Sequence, residues 1–107
     1  MSYELHITRA SHWADSKQQP ILLDELKTYF STQSDFRYSD EVTVTGPFTV
    51  TLKGDFFIWR TEDQEIPFMY SRGKLSCSYG EDEVIMKMKS IAAELHAIVQ
   101  GDEGEMY

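Results

Sequence analysis

The run Tyr3, Glu4, Leu5, His6, Ile7, Thr8 alternates apolar and polar side chains, the period of two that lays one face of a strand on a core. Tyr3, Leu5 and Ile7 then point inward, and His6 falls on the polar face. Residues 10–19 show no period and read as a loop. After Pro20 the spacing becomes helical: Leu22, Leu23, Leu26, Tyr29 and Phe30 form a stripe, with Asp24 and Glu25 in the first turn where the helix dipole favours negative charge. From position 36 to 79 the runs FRYSDEVTV, PFTVTLKG, DFFIWR, IPFMYSRG and KLSCSYG are short, β-branched and aromatic, the signature of a strand meander. Hairpin turns are expected at Lys53-Gly54-Asp55 and Ser71-Arg72-Gly73-Lys74, a solvated link at 61–65, and a break or strand start at Gly46-Pro47. A second helix is predicted from Glu81 to about Val99, with Val84, Ile85, Met88, Ile91, Ala92, Leu95 and Ile98 on one face and a Glu83–Lys87 pair on another.

The pattern predicts an α+β domain, an antiparallel sheet of about five to six strands with two helices, in the order strand, helix, strands, helix, terminal segment. With 107 residues the chain reads as one domain, 1–107, because two cores would each be too small to be stable. The apolar fraction of 41% is enough for a packed interior.

Asp and Glu number 18 against 10 Lys and Arg, a formal net of -8, which opposes binding to nucleic acid or to an anionic membrane. The same balance suits a basic protein partner, and also serves solubility alone. Cys77 is the single cysteine, so no intramolecular disulfide and no Cys-rich zinc site can form. The start, MSYELHITRASHW, has no basic segment followed by an apolar run, and no stretch reaches the length of a membrane span, so a cytoplasmic location is expected.

No catalytic, cofactor or metal signature emerges from the residues. Asp102, Glu103 and Glu105 could offer oxygen ligands to a hard cation, but their spacing does not match a calcium loop. His6, His12 and His96 are scattered without ligand spacing, and Cys77 shares a strand face with Leu75 and Tyr79, as a buried structural cysteine does. The ending VQGDEGEMY reads as a closing segment, with Gly101 and Gly104 permitting sharp turns and the carboxylates toward water. Its carboxylates also offer charge steering beside an aromatic anchor. Trp13, Asp102, Glu103, Glu105 and Tyr107 are therefore the candidate partner-binding residues. The block Phe56, Phe57, Ile58, Trp59, Phe68, Met69, Tyr70 is apolar on both strand faces, which calls for helices on two sides, an interface between copies, or a groove.

The stretches SYELHITRASHW, PILLDELKTYF and KMKSIAAELHAIVQGDEGEMY resemble a group of small uncharacterised bacterial proteins. That group pairs an ITR-like first strand and a following tryptophan with an A-x-VQGD-x-GE-x-Y ending. Leu22 stands where the group tends to have a capping serine, and Tyr79-Gly80 where it often has Asn-Pro. The resemblance implies an α+β fold and carries no activity. In size and charge the chain is also similar in type to immunity proteins, which bind and block a toxin. The expected function is thus a non-enzymatic acidic protein-binding domain, concretely a toxin inhibitor. A small-ligand binder or enzyme with an aromatic pocket, using Trp13 with Cys77 or His96, and a homodimer or larger homo-oligomer are the alternatives.

Overall fold

The computed structural model describes residues 3–78 and 80–107. Six strands form one antiparallel sheet: β1 (Leu5–Thr8), β2 (Phe36–Val44), β3 (Val50–Arg60), β4 (Glu65–Ser71), β5 (Lys74–Cys77) and β6 (Ile98–Gly101). Their order across the sheet is β2-β3-β4-β5-β1-β6, so the meander β2 to β5 is completed by the first strand, and the last strand closes the far edge. Helix α1 (Leu23–Ser31) follows β1, and α2 (Asp82–Glu94) links β5 to β6. The α+β architecture expected from the sequence is the one observed. Among the described residues, no helix is long and apolar enough to cross a membrane.

Both helices contribute to the core on one side of the sheet. The registers Leu5↔Cys77, Ile7↔Leu75, Ile7↔Val99, Phe57↔Phe68 and Trp59↔Ile66 put nine apolar side chains on that side. They pack against Leu26 and Phe30 of α1 and Val84, Met88, Ile91, Ala92 and Leu95 of the second helix and its cap. Cys77 and Leu75 are buried together as expected, while Tyr79 lies outside the described residues. A buried-edge ion pair ties the layers: Asp35 accepts from Lys87 Nζ at 2.9 Å and from the Trp59 indole at 3.0 Å.

Several expectations are corrected. Helix α2 stops at Glu94 rather than near Val99, because His96 takes a left-handed backbone (φ 56°) and turns the chain, and Ile98–Gly101 pairs with β1 instead. A helical stripe and a strand edge compete for Ile98 and Val99, and the open side of β1 wins. The expected turn at Lys53-Gly54-Asp55 is a bulge inside one long strand: Ser39 opposes Phe56 but Glu41 opposes Lys53, leaving an extra residue on β3. The chain turns earlier, between β2 and β3, around Gly46 and Pro47. The turn at Arg72-Gly73 is confirmed, both residues with positive φ (54° and 83°), as a two-residue hairpin requires. Of the aromatic block, Phe57, Trp59 and Phe68 join the helix-side core, Phe56 and Ile58 are buried outside that cluster, Tyr70 packs against it partly buried, and Met69 is exposed. Leu22 caps α1 without a side-chain bond and is exposed.

Candidate functional site

The side of the sheet away from the helices carries, at its β5-β1-β6 end, hydrogen-bonding side chains in place of apolar ones. His6 opposes Ser76 on one neighbour and Gln100 on the other, and Thr8 follows on the same face. All four are buried. This corrects the reading of His6 as a surface residue: it is 1% exposed, because the loop after β1 folds back over it. The Trp13 ring stacks on the imidazole at 4.3 Å, and Ser16 bonds Thr8 at 2.7 Å. Gln100 accepts from the Trp13 amide and donates to the Ser11 carbonyl, both at 2.8 Å, pinning the loop to β6.

The ending VQGDEGEMY resolves into the last strand plus a tight return. The chain leaves β6 at Gly101, turns through Gly104 (φ 83°) and doubles back, with the Gly101 amide donating to the Glu105 carbonyl at 3.0 Å and the Tyr107 amide to Val99 at 3.1 Å. Glycine is required at 104 on two counts: the left-handed backbone, and the approach of His12 Nε2 to within 3.0 Å of where a Cβ would stand.

At this turn Asp102 reaches into the polar layer. Its carboxylate accepts from the Glu4 amide at 2.8 Å and meets His6 Nε2 at 2.8 Å, while its carbonyl accepts from the Trp13 indole at 3.2 Å. Burial pushes the Asp102 carboxyl up, but the Glu4 amide, His6 and the Lys74 charge outweigh it and hold the group below its usual range. An ionised carboxylate only accepts, so Nε2 carries a proton, and the Ser76 hydroxyl, 2.7 Å from Nδ1, can donate to the other nitrogen of a neutral ring. Lys74 stands 5.8 Å from the Trp13 ring centroid, its pKa lowered by burial although Glu4 and Asp102 act against that shift. Tyr3 bonds the Glu105 carboxylate, and the Glu103 amide donates to Glu105 at 3.2 Å.

Ser76, His6 and Asp102 are the residue types of a hydrolytic triad, yet they are arranged as a clamp. The serine hydroxyl belongs to a residue only 5% exposed, so a substrate carbonyl has no approach to it. Glu4, His6 and Asp102 place ligand atoms within 4.8 Å of one another, the spacing a cation could use. A cation there would have to displace the Nε2 proton and spread a 2.8 Å contact beside a lysine. Among the described residues every buried side-chain nitrogen and oxygen has a partner, so the layer is complete as a hydrogen-bonded unit.

Of the residues singled out from the sequence, the fold brings Trp13, Asp102 and Glu105 into one corner, with Glu103 on the same turn. Tyr107 is not among them: it lines a small cleft with Lys89, Ala93 and Ile98 beside α2. His12 joins the corner by stacking on Trp13 at 5.6 Å. Phe57 and Trp59 of the aromatic block face the helices, whereas Trp13 stacks on His6 on the other side of the sheet. His6, Ser76, Gln100 and Lys74 were missed. For His6, Ser76 and Gln100 the one sequence signal is a polar residue on the alternating polar face of three separate strands, which does not show what covers that face; Lys74 carries no such signal. The chain matches no family model, no curated protein and no solved structure.

Proposed function

We propose that this chain is a non-enzymatic protein-binding domain whose acidic corner docks a basic protein partner, in its concrete form a bacterial toxin that the chain blocks as an immunity protein does. One observation carries the reading: Trp13 and the acidic residues Asp102, Glu103 and Glu105, about ninety positions away in the chain, share one end of the sheet. A tryptophan edged by carboxylates is the composition of an interface anchor. The net charge of -8 favours a positive partner and speeds its approach. The corner is also held before binding, by the His6 contact and the two Gln100 bonds, which lowers the ordering cost of association.

The test starts from proteins retained by the tagged chain at low salt in an extract of its own cells, followed by rate measurements on the purified partner. Glu103→Gln with Glu105→Gln, and separately Trp13→Ala, are compared with wild type. The expected result is slower association and a flatter salt dependence for the charge variant, and faster dissociation for Trp13→Ala. A retained partner whose rates ignore all of these changes would remove the corner from the interface.

A further inference from the structure

The two edges of the sheet are treated differently. The outer side of β6 is covered by the chain's own return, through the Gln100–Met106 bridge and the Tyr107 amide. The outer side of β2 pairs with no strand among the described residues; its nine residues, FRYSDEVTV, hold neither proline nor lysine but carry Arg37, Asp40 and Glu41. The Arg60 amide donates to the Asp35 carbonyl at 2.8 Å. Antiparallel alternation from that bond turns the odd-numbered backbone groups of β2 toward β3 and leaves those of Phe36, Tyr38, Asp40 and Val42 facing outward. The bulge places its extra residue on β3; past it Glu41 opposes Lys53 and Thr43 opposes Thr51, while the Ser39 hydroxyl bridges the Glu41 amide and carbonyl.

We propose that β2 is a self-pairing edge: two copies of this chain join through antiparallel β2–β2 contact about a two-fold axis at Ser39, each laying its β2–β3 arm over an aromatic cavity of the other. The register follows from the sequence of the strand. A two-fold pairing must set a residue opposite its own copy, because only then do facing side chains share a side of the sheet. An axis at Tyr38 opposes Phe36 to Asp40 and Asp35 to Glu41, an axis at Asp40 opposes Asp40 to itself, and one at Glu41 opposes Glu41 to itself. Centred on Ser39, Arg37 faces Glu41, Phe36 faces Val42 and Tyr38 faces Asp40, each twice. The outward backbone groups of Phe36, Tyr38, Asp40 and Val42 then pair with one another. Arg37 and Glu41 fall at the closer, non-hydrogen-bonded positions, where opposite charges attract best.

The arm supplies the second half of the fit. Beyond the bulge Val42 pairs with Leu52 and Val44 with Val50, giving one apolar face, while Glu41, Thr43, Thr51 and Lys53 make the other face polar. Val44, Val50 and Leu52 are about half exposed, and Phe48 at the tip is 81% exposed. An apolar ribbon in water on a chain this acidic marks a contact surface. Beside Phe36 and Tyr38 lies an open cavity of about 480 Å³ with Phe30, Phe36, Tyr38 and Phe57 on its aromatic wall and Lys27, its Nζ 4.7 Å from the Tyr38 ring centroid, among its polar lining. With the axis at Ser39, the copy's Val42 stands opposite Phe36, and its Val44 extends past Phe36 along the cavity rim at Ser34 and Gln33. Val42 and Val44 alternate in step with Phe36 and Tyr38, so the aliphatic face meets the aromatic one.

Sedimentation velocity of the full chain across a concentration series tests this, with Arg37→Glu, Glu41→Arg and the double variant. Both positions are exposed, and their intrachain partners Glu65 and Lys53 are exposed as well, so the fold is retained, as near-ultraviolet dichroism checks. The expected result is a wild-type dimer, weakened about ten-fold or more by either single swap because two attractive pairs become repulsive, and restored by the double variant. A wild-type chain that stays monomeric at its highest soluble concentration overturns the proposal. So does a dimer insensitive to the single swaps, or a double variant as weak as either. The edge lies at the opposite end of the sheet from the acidic corner, so a monomer would leave the corner reading untouched.

Discussion

Replacing His6 by alanine is the sharpest probe of the polar layer. The substitution removes a ring that is 1% exposed, stacked on Trp13 and bonded at both nitrogens. Its costs separate by partner. Ser76 remains buried and loses its acceptor, worth about 1–3 kcal/mol. Asp102, with a third of its side chain in solvent, keeps the Glu4 amide and rehydrates, so its loss is small. Loss of the stacked aromatic contact adds about 0.5–1.5 kcal/mol. The sum is about 2–4 kcal/mol, which for a domain of this size lowers Tm by roughly 10–25 °C. His6→Asn separates the parts, since an amide at the δ position still reaches Ser76 but not Asp102, and it should recover about half of the loss. Urea unfolding of the three proteins measures the order. A loss below about 1 kcal/mol for His6→Ala, or an asparagine variant no better than alanine, would refute the account of His6 as the centre of the clamp.

Three further outcomes follow from single contacts. Gly73→Ala should destabilise by about 1–3 kcal/mol in thermal unfolding, because position 73 has φ 83° and its Cβ would come within 2.7 Å of Pro20 and 2.8 Å of the Ser16 carbonyl. Leu22→Asp should stabilise by about 0.5–1 kcal/mol: Leu22 has extended N-cap geometry, is exposed and makes no capping bond, so a carboxylate there gains one and sacrifices little burial. Burial pushes the Asp35 carboxyl up, but the Lys87 bond and charge, with the Trp59 indole, hold it below its usual range. Its stabilisation is therefore complete above the unfolded value near pH 4 and is lost as pH falls through the lower folded value. Asp35→Asn should thus be less stable than wild type at neutral pH, with a gap that narrows in urea titrations below about pH 4; a gap constant with pH would contradict the Lys87–Asp35 pairing.

The acidic corner and the β2 edge place two surfaces at opposite ends of one sheet. At the corner the chain covers its own strand edge with its last residues and fixes carboxylates around a tryptophan. At β2 the edge stays open beside an amphipathic arm. On the two proposals above, a copy at β2 would not compete with a partner at the corner, because the two surfaces lie at opposite ends of the sheet.

The local pattern was enough for the α+β class, the stripe of α1, the Arg72-Gly73 turn and the burial of Leu75 and Cys77, because each depends on periodicity or on a backbone angle only a few residues long. Where α2 stops was not legible: Ile98 and Val99 continue its apolar period, and only the vacant side of β1, a partner some ninety residues away, draws them into a strand. Gly54-Asp55 likewise carries turn chemistry in sequence, but pairing with both β2 and β4 makes it a bulge. The corner was half visible. Trp13, Asp102, Glu103 and Glu105 stood out by residue type, whereas His6 read as a surface histidine, since alternation tells which face of a strand a side chain occupies and not what covers that face. Its cover is the loop after β1, pinned by Gln100 of the last strand, and a contact between the two ends of a chain is decided by the tertiary fold.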